Sequence, residues 1–252
     1  MNKIAIVTGG SRGLGKDIAL SFAKKGVDVI LTYHSKKAEA ENVAAEIVAM
    51  GQKAAVLQFD AEQLGAYDEF VQAVLNALQQ HWGADKFDYL VNNAGIGATI
   101  PIAQVTEAVF ETFLNIHYKG VYFLTQKLLP HQNDHGSIIN LSSGTTRFAN
   151  PGYSLYASLK GAVEVFTRYL AREVGHRGIR ANVVAPGPVE TDFNNAAIRN
   201  APAERRNMMM GMTALGRLGQ PDDIGGVVVF LCSEEAKWIT GQRIEVSGGI
   251  NL

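Results

Sequence analysis

The sequence predicts an α/β fold built on one doubly wound parallel sheet with helices on both faces, and three observations point there. Short apolar runs such as Lys3–Thr8 and Ser137–Leu141 occur without polar alternation, as strands covered on both faces do. Amphipathic stretches of helical length separate them, joined by short connections, which is the rhythm of right-handed βαβ units. The first run also opens directly into a glycine-rich loop followed by a helical pattern. No repeat or low-complexity linker marks a boundary, so residues 1–252 are expected to form one domain.

The totals narrow the class. Of 252 residues, 47% are apolar, enough for a large core. Lys and Arg (23) nearly balance Asp and Glu (24), which leaves no electrostatic footprint for nucleic acid or an anionic membrane. A single cysteine, Cys232, excludes an internal disulfide and fits a reducing compartment; within VVVFLC it reads as core. The opening MNKIAIVTGG reads as a strand rather than a signal peptide, and no run approaches the ~20 apolar residues of a membrane span. A soluble cytoplasmic protein without a metal centre is expected.

Taken in order, the strand Lys3–Thr8 leads into Gly9-Gly10-Ser11-Arg12-Gly13-Leu14-Gly15, and then into a helix with Ile18, Ala19, Phe22 and Ala23 inward. Glycines between a strand and a helix let the backbone approach a pyrophosphate, whose charge the helix N-terminus favours. The fold expected is therefore Rossmann-type, with Gly9, Ser11, Arg12, Gly13, Leu14 and Gly15 against the phosphates. The second strand, Val27–Tyr33, ends in His34-Ser35-Lys36-Lys37, with no carboxylate before Glu39. An NAD site usually places an acid near this point. Arg12, His34, Ser35 and Lys36 instead form a cationic, hydroxyl-rich pocket suited to a 2′-phosphate, so NADP(H) is the cofactor expected. Lysines in the first turn of a helix oppose its dipole, and a bound anion would account for them.

A helix at Lys36–Met50 and a third strand, Ala54–Phe59, follow. Asp60, next to Ala61, is placed to accept from an adenine amino group or, equally, to cap the next helix. Strand Phe87–Val91 ends in Asn92-Asn93-Ala94-Gly95, where Asn93, Ala94 and Gly95 fall at the carboxyl edge of the sheet, beside the ligand crevice. A helix spanning Thr106–Leu129, the strand Ser137–Leu141 and a helix over Ser154–His176 continue the pattern. Strand Ile179–Val184 runs into Pro186-Gly187-Pro188-Val189, a helix opens at Pro221, and Gln242–Val246 is the last strand. Residues 190–215 break the rhythm. They hold four of the six methionines (Met208, Met209, Met210 and Met212), which suits a mobile lid over an adaptable apolar pocket.

The chemistry centres on Ser143–Lys160, SGTTRFANPGYSLYASLK. Tyr156 and Lys160 lie four apart, on one helix face. A tyrosine pKa of ~10 is too high for ready proton exchange at neutral pH, and an ammonium one turn away favours the phenolate. Ser143, at a strand end, is placed to donate to a substrate carbonyl. The spacing alone also fits a surface pair.

With these pieces placed, the chain resembles the short-chain dehydrogenase/reductase family along its whole length. Thr8-Gly9-x-x-x-Gly13-x-Gly15 is similar to the family's cofactor loop and Asn92-Asn93-Ala94-Gly95 to its sheet-stabilising motif. Ser143 followed thirteen residues later by Tyr156-x-x-x-Lys160 is similar to its catalytic set, a spacing that passes over Ser142 and Tyr153. Pro186, Gly187, Val189 and Thr191 resemble the loop that holds the nicotinamide carboxamide. The resemblance implies that Tyr156 is the acid in reduction and the base in oxidation. It implies that Lys160 binds the nicotinamide ribose and lowers the tyrosine pKa, and that Ser143 orients and polarises the carbonyl. The family's usual asparagine, three residues before a glycine, is replaced: counting back from Gly120 reaches His117, with Asn115 two residues earlier. An imidazole there would serve the same proton relay or titrate in its own right, unless it is simply a satisfied helix histidine.

The reading is an NADP(H)-dependent carbonyl reductase or alcohol dehydrogenase, similar to bacterial 3-oxoacyl-carrier-protein reductases and related ketone reductases. A free small ketone, aldehyde or ketoester is favoured, because no basic dock for an acidic carrier is visible. The resemblance implies a homotetramer with the Tyr156 helix at one interface. An NAD-dependent sugar or polyol dehydrogenase and a non-catalytic NADP-binding sensor are the alternatives.

Overall fold

A computed structural model describes residues 2–252. Seven strands form one parallel sheet in the order β3-β2-β1-β4-β5-β6-β7. They are β1 (Ile4–Val7), β2 (Asp28–Tyr33), β3 (Ala54–Gln58), β4 (Phe87–Asn92), β5 (Gln132–Leu141), β6 (Arg180–Pro186) and β7 (Arg243–Val246). Every residue of β1 and β2 is buried, as the lack of polar alternation requires. The helices are α1 (Gly13–Lys24), α2 (Lys37–Ala49), α3 (Tyr67–Trp82), α4 (Glu107–Leu114), α5 (Gly120–Leu128), α6 (Ser154–Val174), α7 (Phe193–Ala196), α8 (Ala203–Gly211) and α9 (Asp222–Cys232).

Two aliphatic cores cover the two faces. Ile18 and Phe22 of α1, Val43 and Ile47 of α2, and Ile224, Val228 and Leu231 of α9 pack on one side. Val74 and Leu78 of α3, Leu124 and Leu128 of α5, and Leu170 and Val174 of α6 pack on the other. Each such side chain, fully buried, contributes about 1.5–3 kcal/mol. Cys232 is a buried core residue. The strand order reverses between β1 and β4, so the crevice outside their carboxyl ends is the natural ligand position.

The structure departs from the expected elements in three places. Strand β5 begins at Gln132, not Ser137; its polar start is held because the buried Gln132 amide donates to Asp88 O and Ser137 O. The helix expected over 106–129 contains a π-helical turn at Asn115–Lys119, closed by Gly120 N–H donating to Asn115 O. At the start of α2 a bound anion is not the only available counter-charge: Lys36 lies 3.9 Å from Glu39, and Lys37 lies 3.6 Å from Glu41, both as exposed pairs. No helix among the described residues is long and apolar enough to cross a membrane.

Candidate active site

A cavity of about 750 Å³ opens at the carboxyl ends of β1, β4, β5 and β6. At one end the glycine loop forms its floor. A Cβ on Gly15 would lie 2.1 Å from Gly9 O, so only glycine lets the loop close this tightly. Asn93 Nδ2 donates to Thr8 O and Gly9 O, and Thr8 Oγ1 accepts from the Asn93 and Ala94 amides. The Asn93 motif thus clamps the loop from the neighbouring strand. Helix α1 starts without a side-chain cap and without an acidic residue in its first turn. Its leading amides and positive dipole end therefore face the cavity, which is how a pyrophosphate is held. The residues present fit a dinucleotide.

Every sequence-predicted contact residue lines this cavity: Gly9, Ser11, Arg12, Gly13, Leu14, Gly15, His34, Ser35, Lys36, Asp60, Ala61, Asn93, Ala94, Gly95, Pro186, Gly187, Val189 and Thr191. Arg12 is exposed; its carbonyl accepts from Lys16 N–H, and its guanidinium has no hydrogen-bond or ion-pair partner among the described residues. Asp60 Oδ1 accepts from Glu62 N–H at 2.9 Å, and Oδ2 lies 3.4 Å from His34 Nε2. Asp60 thus closes a local turn on Glu62 and does not cap the next helix, whose N-cap is Gln63 without a side-chain bond.

Ser143, Tyr156, Lys160 and His117 share the other wall. Ser143 Oγ accepts from Thr145 N–H (3.2 Å) and Thr145 Oγ1 (3.0 Å), which occupies its lone pairs and leaves its hydrogen to donate. The Ser142 hydroxyl is turned away, donating to Glu164 at 2.6 Å. Lys160 is 4% exposed and donates from Nζ to Leu141 O at 2.8 Å. Burial alone brings its pKa down to about 8. Tyr156 moves the opposite way from the expectation. Burial drives its pKa well above the ordinary 10, against a lowering by the facing Ser143 hydroxyl, and Tyr153 adds to the rise. The Lys160 ammonium lies 5.7 Å from the Tyr156 ring centroid and is directed at the Leu141 carbonyl, so it does not offset that desolvation.

The π turn supplies His117. The turn carries one residue more than an α-helical turn, and its imidazole points inward with no exposed surface. Nε2 lies 2.8 Å from Ile96 O, which can only accept, so Nε2 carries the hydrogen and Nδ1 is left as an acceptor. Nδ1 and Asn115 Oδ1 are buried without partners among the described residues. Burial first, and then the Lys160 charge, hold the His117 pKa well below its ordinary value, so the ring is neutral. It meets the Tyr156 ring edge-on at 5.1 Å.

Sequence reasoning did not find the remaining walls. Tyr153, passed over in the sequence, lines the cavity and accepts from Thr99 Oγ1 at 3.2 Å. Phe193 lies 6.1 Å from the Tyr156 ring and crosses Gly97, where a Cβ would stand 2.5 Å from its ring. Phe148, Met208, Met209, Met212, Ile250 and Asn251 also line the cavity. The only advance sign of any of these was the methionine cluster.

The cofactor cradle beside a serine, tyrosine and lysine on one wall defines a dinucleotide-dependent oxidoreductase class, and comparison with known proteins supplies the family. A family model described as enoyl-(acyl carrier protein) reductase matches residues 9–251. An uncharacterized oxidoreductase of Methylorubrum extorquens is 40% identical over 248 residues, 98% of this chain and 97% of its own. The 3-oxoacyl-[acyl-carrier-protein] reductase of Staphylococcus epidermidis is 36% identical over the whole of both chains. The crystal structure of the angucycline C-6 ketoreductase LanV with bound NADP superposes with a TM-score of 0.93 at 35% identity, covering 99% of this chain and 95% of its own. The chain belongs to the short-chain dehydrogenase/reductase family of oxidoreductases.

Proposed function

We propose that the protein is an NADPH-dependent ketone reductase acting on an apolar, aromatic carbonyl compound. The observation that carries this reading is one continuous cavity with the uncapped N-terminus of α1 at one end and Ser143, Tyr156 and Lys160 at the other. Bound NADPH supplies a hydride to the carbonyl carbon. Ser143, with its lone pairs occupied, donates to the carbonyl oxygen and orients it. Tyr156 gives that oxygen a proton, and its raised pKa keeps the phenol protonated at neutral pH, as an acid in the reductive direction must be. Lys160, at about 8, is close enough to neutrality to return the proton. His117, neutral and with Nδ1 free to accept, serves as a fixed acceptor on the path behind Lys160, not as a titrating group.

The partnerless Arg12 guanidinium, with Lys36, favours a 2′-phosphate and hence NADP(H) over NAD. Phe148, Tyr153, Phe193, Met208, Met209 and Met212 offer rings and thioethers to a flat apolar substrate, with residues 190–215 as its lid. LanV, whose name records an angucycline ketone, supports that class. Exposed Val165 and Tyr169 on α6 and Tyr122 and Phe123 on α5 suit the expected oligomer interface, and a cytoplasmic location accords with NADPH use.

The test is oxidation of NADPH and of NADH against aryl ketones, ketoesters, 3-oxoacyl thioesters and a 2-enoyl thioester, with Tyr156→Phe alongside. NADPH-dependent reduction of an aryl ketone, falling by about 10²–10⁴ in the variant while NADPH still binds, is expected. Preference for NADH would refute the cofactor assignment. Binding of NADPH without turnover of any substrate would favour a sensor.

A further inference from the structure

We infer that four charged residues outside the cavity, Glu164, Arg243, Glu245 and Arg147, are the positioning element of Ser143 and tie it to the substrate-side wall at 250–251. This rests on the ketone reductase reading above. None of the four lines the cavity. They form an alternating chain of charges across three elements. Glu164 on α6 accepts at Oε1 from Ser142 Oγ (2.6 Å), Thr146 Oγ1 (2.8 Å) and Arg243 Nε (2.9 Å). Arg243 on β7 reaches Ser143 O at 3.3 Å and Thr146 Oγ1 at 3.2 Å from Nη2, and donates from Nη1 to Glu245 at 2.9 Å. Glu245 is gripped by both Nε and Nη2 of Arg147 at 2.8 Å, and Arg147 also donates to the carbonyls of Ile250 and Asn251.

Ser143 is thereby held from both sides: its neighbour Ser142 by Glu164, its own carbonyl by Arg243. The same chain of charges ends on Ile250 and Asn251, which line the cavity. That segment is joined in turn to the end of the methionine lid. Asn251 N–H donates to Met212 O at 2.9 Å, and Thr213 and Ile250 form an antiparallel bridge. A forked guanidinium on a carboxylate fixes direction as well as distance, which a lysine would not do. The Arg147 pair, against burial and with help from Arg243 and the Ser247 hydroxyl, holds the Glu245 pKa near 2, so the connection persists through the working pH range.

The test uses Arg147→Ala, at an accessible side chain, and Glu164→Gln, each measured by hydrogen exchange, NADPH binding and ketone reduction. Exchange at the amides of 143–147 and 248–251 should quicken about tenfold while β1 stays unchanged. The NADPH Kd should hold within about twofold, and kcat/KM for the ketone should fall about tenfold or more. In a Ser143→Ala background the same substitutions should cost under about twofold, since they act through that serine. Unchanged exchange at 143–147 in both variants, a rise spread evenly over the chain, or a full additive loss on Ser143→Ala would each overturn the inference. If the unmodified protein reduces no ketone, the functional proposal fails, and the exchange pattern alone decides this one.

Discussion

Lys160 is expected to cost the protein stability, and its removal to raise the melting temperature while abolishing turnover. The residue is buried, and its pKa falls from the ordinary 10.5 to about 8 through desolvation of the ammonium. At ~1.4 kcal/mol per pH unit this corresponds to about 3 kcal/mol held against the folded state when the amine is charged. Lys160→Met removes that penalty with little change of shape, but leaves the Leu141 carbonyl, now served at 2.8 Å, without its donor. An unpaired buried acceptor costs about 1–3 kcal/mol, so the net gain at pH 7 is about 0–2 kcal/mol, or up to roughly 8 °C in Tm. The sign with pH follows from the lowered folded value. Below pH 8 both states are protonated and the penalty is complete. Between about 8 and 10.5 the unfolded chain holds the extra proton, so the unmodified protein gains stability as pH rises and the advantage of the variant shrinks. Thermal and urea unfolding at pH 6.5, 7.5, 8.5 and 9.5 measures this. A variant less stable than the parent at pH 7, or a difference that does not narrow toward pH 9.5, would refute the reasoning.

Three further outcomes are expected. Arg12→Ala should raise KM for NADPH about tenfold or more and leave KM for NADH nearly unchanged, because the lost contact is to a phosphate that only NADPH carries. The rate of ketone reduction should be flat from about pH 5.5 to 7.5, since the buried His117 stays neutral there, and should fall above about 8 as Lys160 loses its proton; a limb near pH 6.5 that disappears in His117→Asn would contradict this. Gly97→Ala sets a methyl 2.5 Å from the Phe193 ring and must turn that ring, so ketone KM should rise about fivefold or more with NADPH binding unchanged, as steady-state kinetics would show.

The sheet and the cofactor end of the site were legible because their signals are local. Strands buried on both faces leave uninterrupted apolar runs, and the glycine loop lies within seven residues, Gly9 to Gly15. Tyr156 and Lys160 were legible for the same reason, one helical turn apart. Their electrostatics were not, because the phenol and ammonium respond to burial by elements distant in sequence, and desolvation outweighs the pairwise attraction that spacing suggests. The π turn left no mark, since it needs neither proline nor a change in composition. Phe193 over Gly97 and Arg243 on Glu164 join segments separated by 96 and 79 residues, contacts on which local periodicity is silent.

That π turn also sets the phase between two parts of the molecule. Upstream of it, Phe113 of α4 packs with Leu155 and Leu159 beside Tyr156; downstream, Leu124 and Leu128 of α5 belong to the core beneath the sheet. An α-helix advances about 100° per residue, so one residue fewer between these rows would rotate them out of register by that angle. Either the aliphatic row or the imidazole of His117 would then face the wrong neighbour. A single-residue deletion anywhere in 115–119 would turn the wall that carries His117 against the core that supports it.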